Sequence, residues 1–89
     1  MTELRGVESE RAVDLKPHPR SQFLIFKDDN VELSPGDEIL LLVGNARHPR
    51  QEDYGVPLRL TNKSEPEEDD VVVQYGERLF VAQKIPEFI

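Results

Sequence analysis

The sequence contains no cysteine, and only two of its 89 residues are histidine. Without cysteine there can be no disulfide, no thiol nucleophile, no zinc finger and no cysteine-ligated iron–sulfur cluster. His18 and His48 each precede a proline in separate segments, so they do not form the helical i, i+4 pair that binds metal in some proteins. We therefore expect no catalytic residues, no metal site and no cofactor, and a reducing compartment is compatible with this composition.

Basic residues and long apolar runs are also scarce. The chain has 11 Lys and Arg against 18 Asp and Glu, which gives a formal net charge of −7. A field of that sign disfavours binding to nucleic acid or to an anionic membrane, and it favours a basic protein partner. No apolar run approaches the roughly 18 residues of a transmembrane helix, and the first residues lack the apolar core of a secretory signal. These features predict a cytoplasmic protein.

The length limits the size of the core. A chain of 89 residues, 37% of them hydrophobic, forms one domain at most. A domain of this size buries only a modest part of its surface, so its stability is marginal and gains from a partner or from self-association.

What the sequence does contain is a series of short apolar runs separated by turn-forming residues. Ser34-Pro35-Gly36-Asp37 has the Pro-Gly order of a type II turn, and Gly76 lies in the turn of the clearest hairpin. This pattern predicts a mostly β fold, a small antiparallel sandwich or barrel of about five or six strands within residues 21–89. The predicted strands are Phe23–Phe26, Val31–Leu33, Glu38–Val43, Val56–Thr61, Val71–Tyr75 and Arg78–Gln83.

Residues 1–20 differ from the rest, because charged residues dominate and apolar residues are few. A short amphipathic helix over residues 8–15 is one interpretation, and Pro17 and Pro19 would end it. We expect instead a flexible N-terminal arm with a polyproline-like hinge at residues 17–19.

An acidic run near the C-terminal hairpin is the first candidate site. Five acids occupy six positions, without the glycine and the spacing of an EF-hand loop; they are Glu65, Glu67, Glu68, Asp69 and Asp70. Such a run is either a solvated loop or a docking surface for a basic protein. Phe88, in the apolar segment 85–89, would add a hydrophobic contact to that surface.

A basic cluster in the long segment between Gly44 and Gly55 is the second candidate site. Arg47, His48 and Arg50 could together hold a phosphate or a carboxylate. The alternative is a solvated loop whose arginines pair with the nearby Glu52 and Asp53. This cluster predicts, as an alternative function, an anion-binding or small-ligand-binding domain.

The segment 39–89 resembles the scaffold of the A-type iron–sulfur carriers, the HesB/IscA-like family. The resemblance lies in an acidic connection, a strand of paired valines, a turn, a further strand and an apolar end; these are the stretches Glu65–Val73, Tyr75–Val81 and Ile85–Ile89. The family's first cysteine belongs in the irregular loop where this chain has Asn45–Tyr54. Because no cysteine is present, the resemblance implies the scaffold without the cluster, and no ligand or catalytic residue carries over.

Three functions remain as hypotheses. The first, which we favour, is a non-enzymatic interaction or regulatory module that binds a protein through the acidic run, the apolar C-terminal segment or a strand edge. The second is the anion-binding domain. The third is homodimerisation or a larger self-assembly, which unpaired strand edges would permit. An enzyme is the least favoured, because no nucleophile or acid–base pair can be assembled from these residues.

Overall fold

In the part of the chain that the structure describes, all regular structure except one short 3-10 turn is β-strand. The computed structural model describes residues 2–11, 15–27, 31–45 and 51–86. The strands are β1 (Thr2–Glu8), β2 (Phe23–Ile25), β3 (Glu38–Gly44), β4 (Glu52–Leu60), β5 (Asp70–Tyr75) and β6 (Arg78–Lys84), and the 3-10 turn is Ser9–Arg11. The strands form a closed barrel in the order β1-β2-β5-β6-β4-β3. The prediction of a small, mostly β barrel is confirmed.

The barrel is mixed, although the prediction was antiparallel. β1 and β3 run parallel, as do β2 and β5, and the other four neighbouring pairs are antiparallel. Parallel neighbours require long connections that cross from one end of the sheet to the other. The chain between β4 and β5 is such a crossing, whereas β2 itself, antiparallel to β1, carries the chain back before β3 begins.

The prediction of a flexible arm over residues 1–20 is wrong for its first part, because Thr2–Glu8 is a strand of the barrel. Residues 2–6 pair with β3, and residues 6–8 pair with β2. Leu4 and Val7 are buried, with 4% and 1% of their surface exposed, while Glu3 and Arg5 face solvent. Two buried apolar side chains are enough to keep this strand in the barrel, because its backbone N–H and C=O groups also form hydrogen bonds with the strands on both sides.

Residues 15–20, which we call the strap, lack regular structure but are tied to the outer face of the barrel. Gln74 lies between the inward-facing Val73 and Tyr75 and therefore points outward. Its Oε1 accepts a hydrogen bond from the His18 N–H at 2.7 Å, and its Nε2 donates to the carbonyl of Lys16 at 3.2 Å. One side chain thus fixes the middle of the segment that was expected to be a hinge.

The predicted strand Val31–Leu33 is not a strand. The side chain of Leu33 is buried at 3% exposure and joins the core, and its carbonyl accepts a hydrogen bond from Arg78 Nη1 at 3.3 Å. The type II turn that follows is confirmed, since Gly36 has φ = 97° and the Asp37 N–H bonds to the Ser34 carbonyl at 3.1 Å.

The hairpin of β5 and β6 is confirmed, with a two-residue turn in which Gly76 takes φ = 61°. β4 begins at Glu52, four residues before the predicted start at Val56. Pro57 lies inside this strand rather than at its beginning. The β4–β6 pairing runs only from Leu58 to Leu60, and it stops next to Pro57 because proline has no N–H to donate.

The core fills the barrel with side chains that alternate along each strand, as a period of two requires. Thirteen buried residues form one cluster: Leu4, Ile25, Leu33, Ile39, Leu41, Val43, Leu58, Leu60, Val71, Val73, Tyr75, Phe80 and Ala82. Most of them are branched aliphatic residues, which suit a tightly packed strand interior.

Gly6 provides the first test of this fold, because it pairs with both neighbours of β1. A Cβ at this position would overlap the carbonyl oxygen of Leu24 and lie 3.0 Å from Leu41 Cδ1. Because the backbone of β2 would have to move, Gly6→Ala should lower the free energy of unfolding by about 1–3 kcal/mol. Urea denaturation measures this.

Gly55→Ala is the matched control within β4. A Cβ there meets only leucine side-chain atoms, the nearest being Leu40 Cδ1 at 3.3 Å, so its effect should stay within about 0.5 kcal/mol. Equal stability of the Gly6→Ala variant and the wild type would contradict the described approach of β1 to β2.

Candidate functional site

The directions of the six strands bring many acidic residues to one end of the barrel. β1, β3 and β6 finish at the end where β2, β4 and β5 begin, which follows from the parallel and antiparallel pairings. We call this the acidic end, because it carries Glu8, Glu10, Glu52, Asp53, Glu67, Glu68 and Asp69. These acids come from three separate parts of the sequence.

The acidic run has an internal structure centred on Asp70, the first residue of β5. Asp70 Oδ2 accepts a hydrogen bond from Lys63 Nζ at 2.9 Å and another from the Glu67 N–H at 2.9 Å. The Asp70 N–H bonds in turn to the Glu67 carbonyl at 3.0 Å. Only 6% of the Asp70 side chain is exposed. Asp70 therefore holds the loop in shape, and its role in partner binding stays a prediction.

These contacts shift the titration of both groups. The hydrogen bond from the Glu67 N–H lowers the pKa of Asp70 below its ordinary value, and the bond from Lys63 lowers it further. The bond to Asp70 raises the pKa of Lys63, and the charge of Glu67, whose carboxylate lies 3.4 Å away, adds to the effect. The folded loop thus favours the charged form of both side chains.

Glu65 is also engaged within the chain. Its carboxylate forms a salt bridge with Arg20 of the strap, with 2.6 Å between Oε2 and Nη2. Glu68 and Asp69 differ, since both are exposed and neither forms an ion pair with another described residue. Of the five acids in the run, these two are exposed and form no ion pair within the described part of the chain.

Two adjoining grooves border the acidic run. One, of about 850 Å³, lies between residues 67–71 and the end of β6. The other, of about 540 Å³, lies beside Glu8 and Glu10. Both are lined by Gln22, Val71 and Lys84, so they form one continuous depression across the acidic end. Its lining includes six acidic residues as well as Lys84, and Val71 contributes apolar surface.

Tyr54 adds a contact at the same end that sequence reasoning missed. Its hydroxyl donates a hydrogen bond to Glu8 Oε1, which links β4 to the end of β1 across the barrel mouth. Residues 8 and 54 are far apart in sequence and lie on strands that do not pair. Only the strand order could have revealed this contact.

The remaining predicted site residues lie outside the described part of the chain. Arg47, His48 and Arg50 of the anion-binding hypothesis fall there, as does Phe88, so these assignments stay predictions. Within residues 2–11, 15–27, 31–45 and 51–86, no three acidic or histidine side chains come together in a way that could hold a metal ion. The same residues include no helix long and apolar enough to cross a membrane.

The Lys63–Asp70 pair makes the stability depend on pH. Asp70 has a lower pKa folded than unfolded, so its stabilising effect is complete above the ordinary aspartate pKa of about 3.9. The stabilising effect is lost as the pH falls through the pKa of Asp70 in the folded protein. Asp70→Asn should therefore be less stable than wild type at pH 6, and the difference should shrink below about pH 4.

Parallel urea titrations of the two proteins from pH 3 to pH 7 measure this difference. Glu77→Gln is a suitable control carboxylate, since Glu77 is exposed in the hairpin turn at the other end of the barrel. A wild-type advantage over Asp70→Asn that stays the same down to pH 3 would show that the stabilisation does not come from the charge of Asp70.

The comparisons with known proteins return no match: no protein-family model, no curated protein and no solved structure is similar to this chain. The resemblance to the iron–sulfur carrier scaffold therefore stays a prediction.

Proposed function

We propose that this chain is a non-enzymatic interaction module whose acidic end docks a basic surface of another protein. The observation that carries the proposal is the gathering of acids from three parts of the sequence at one end of the barrel. Strand polarity, rather than proximity in sequence, brings Glu8 and Glu10 to the same end as Glu67, Glu68 and Asp69. A localised negative field of this kind steers a basic partner and orients it on docking.

The shape of the acidic loop supports the proposal. A loop that is already ordered loses little conformational entropy when a partner binds. The contacts of Asp70 with Lys63 and the Glu67 N–H order the loop in the absence of a partner. Glu68 and Asp69 are then held in place as exposed charges, ready for lysine or arginine side chains.

The depression beside the loop gives the partner a place to lie. Val71 and Phe23 add apolar surface to its acidic walls, and interfaces combine such an apolar centre with a charged rim. The net charge of −7 disfavours binding to nucleic acid or to an anionic membrane. The proposal also includes a cytoplasmic location, a protein as the partner, and no catalytic activity of this chain.

A charge-reversal experiment tests the docking surface. Glu68→Lys combined with Asp69→Lys should weaken binding to the basic partner by about tenfold or more and reduce its salt dependence, because two interfacial charges change sign. The measurement is capture from a lysate at several salt concentrations, followed by titration calorimetry with the purified captured protein.

Glu3→Lys combined with Glu77→Lys is the matched control. It changes the net charge by the same amount at exposed positions of the opposite end of the barrel. The proposal requires binding to survive in this control and to be lost in the Glu68/Asp69 variant. Equal losses in both would point to net charge alone, and unchanged binding in both would rule out the acidic end as the docking surface.

A further inference from the structure

The strap already places a basic side chain on the acidic run. Its sequence, Lys16-Pro17-His18-Pro19-Arg20, is basic and has prolines that disfavour helix. Arg20 approaches Glu65 with both terminal nitrogens, Nη2 to Oε2 at 2.6 Å and Nη1 to Oε1 at 3.4 Å. This is the two-pronged geometry in which arginine recognises a carboxylate.

The backbone of the strap is anchored independently of that ion pair. Gln74 bonds to the backbone of Lys16 and His18, and the His18 carbonyl accepts bonds from the Ser21 N–H at 2.9 Å and the Ser21 Oγ at 2.8 Å. The side chain of Arg20 can therefore leave Glu65 while the backbone around it stays in place.

We propose that Arg20 is an autoinhibitory contact, which occupies at Glu65 the position that an arginine of the basic partner takes on docking. This inference rests on the proposed function, and it names the partner's chemistry more closely. Because a carboxylate pairs with a guanidinium through two parallel hydrogen bonds, the competing group is an arginine rather than a lysine. The partner segment must displace Arg20 before it occupies the whole acidic run.

The solvent exposure of the Arg20–Glu65 pair sets the expected size of the change in affinity. The side chain of Arg20 is 47% exposed and that of Glu65 is 74% exposed, and an ion pair at such a site is weak. Its release should therefore change the affinity for a basic ligand by about two- to fivefold rather than by orders of magnitude. A contact of this strength tunes docking without blocking it.

The test uses a defined probe, a capped tetra-arginine peptide, with a capped tetra-lysine peptide beside it. Each is titrated into isotope-labelled protein at low salt, and the amide resonances of residues 65–70 report binding. Arg20→Ala should bind tetra-arginine about two- to fivefold more tightly than wild type, with a smaller gain for tetra-lysine. Adding Glu65→Gln to Arg20→Ala should remove the gain.

Lys16→Ala is the matched control, because it removes one positive charge from the strap and leaves the Arg20–Glu65 pair intact. A gain in Arg20→Ala that Lys16→Ala does not reproduce supports the inference. Equal affinities of wild type and Arg20→Ala, with binding still weakened by the Glu68/Asp69 reversal, would overturn the autoinhibitory contact and leave the docking surface standing. Absence of binding in every variant would overturn both.

Discussion

Closure of the barrel by β1 is the constraint on which the other features depend. β1 lies between β2 and β3 and pairs with both, changing neighbours at Gly6. Without it, each of these two strands would present an open edge, which is a site for unwanted pairing. The parallel pairing of β1 with β3 also sets the direction in which the strands run. That direction decides which strand ends meet at each end of the barrel, and so it places Glu8 and Glu10 at the end that carries the acidic run.

The parts of the fold that could be predicted from sequence are those with a local physical cause. Alternating or continuous apolar runs indicated β3, β5 and β6, and the glycines at positions 36 and 76 marked their turns because they take positive φ. β1 could not be found in this way. Its core side chain, Leu4, is flanked by the charged Glu3 and Arg5, and its partners, at residues 23–25 and 39–43, lie far along the chain. Non-local pairing of this kind leaves little trace in a short window of sequence.

The candidate site, too, could be predicted from the sequence only in part. The density of acids over residues 65–70 is visible in the sequence, but the different roles of those acids are not. The bond of Asp70 to Lys63 spans seven residues, and the pair of Arg20 with Glu65 spans 45. The second exists only because β2 and β5 are neighbours, which carries the strap past the acidic loop. Sequence alone treats five carboxylates as equivalent. Their contacts separate Asp70 and Glu67, which bond to Lys63, and Glu65, which pairs with the strap, from Glu68 and Asp69, which form no ion pair with another described residue.

This division explains how a small acidic chain tolerates so many like charges in six positions. Carboxylates at that density repel one another, and the repulsion destabilises the folded state unless cations or N–H groups offset it. Lys63, Arg20 and the Glu67 N–H provide that offset for Asp70 and Glu65, so the uncompensated repulsion is concentrated at Glu68 and Asp69. A basic partner that neutralises these two charges binds the folded state and therefore stabilises it. Salt then has opposite effects on the two properties: screening relieves the repulsion in the free protein while it weakens the attraction to the partner. In the proposed docking, the stability of the free protein and its affinity for the partner therefore share one physical origin, the charge of Glu68 and Asp69, which no other described residue pairs.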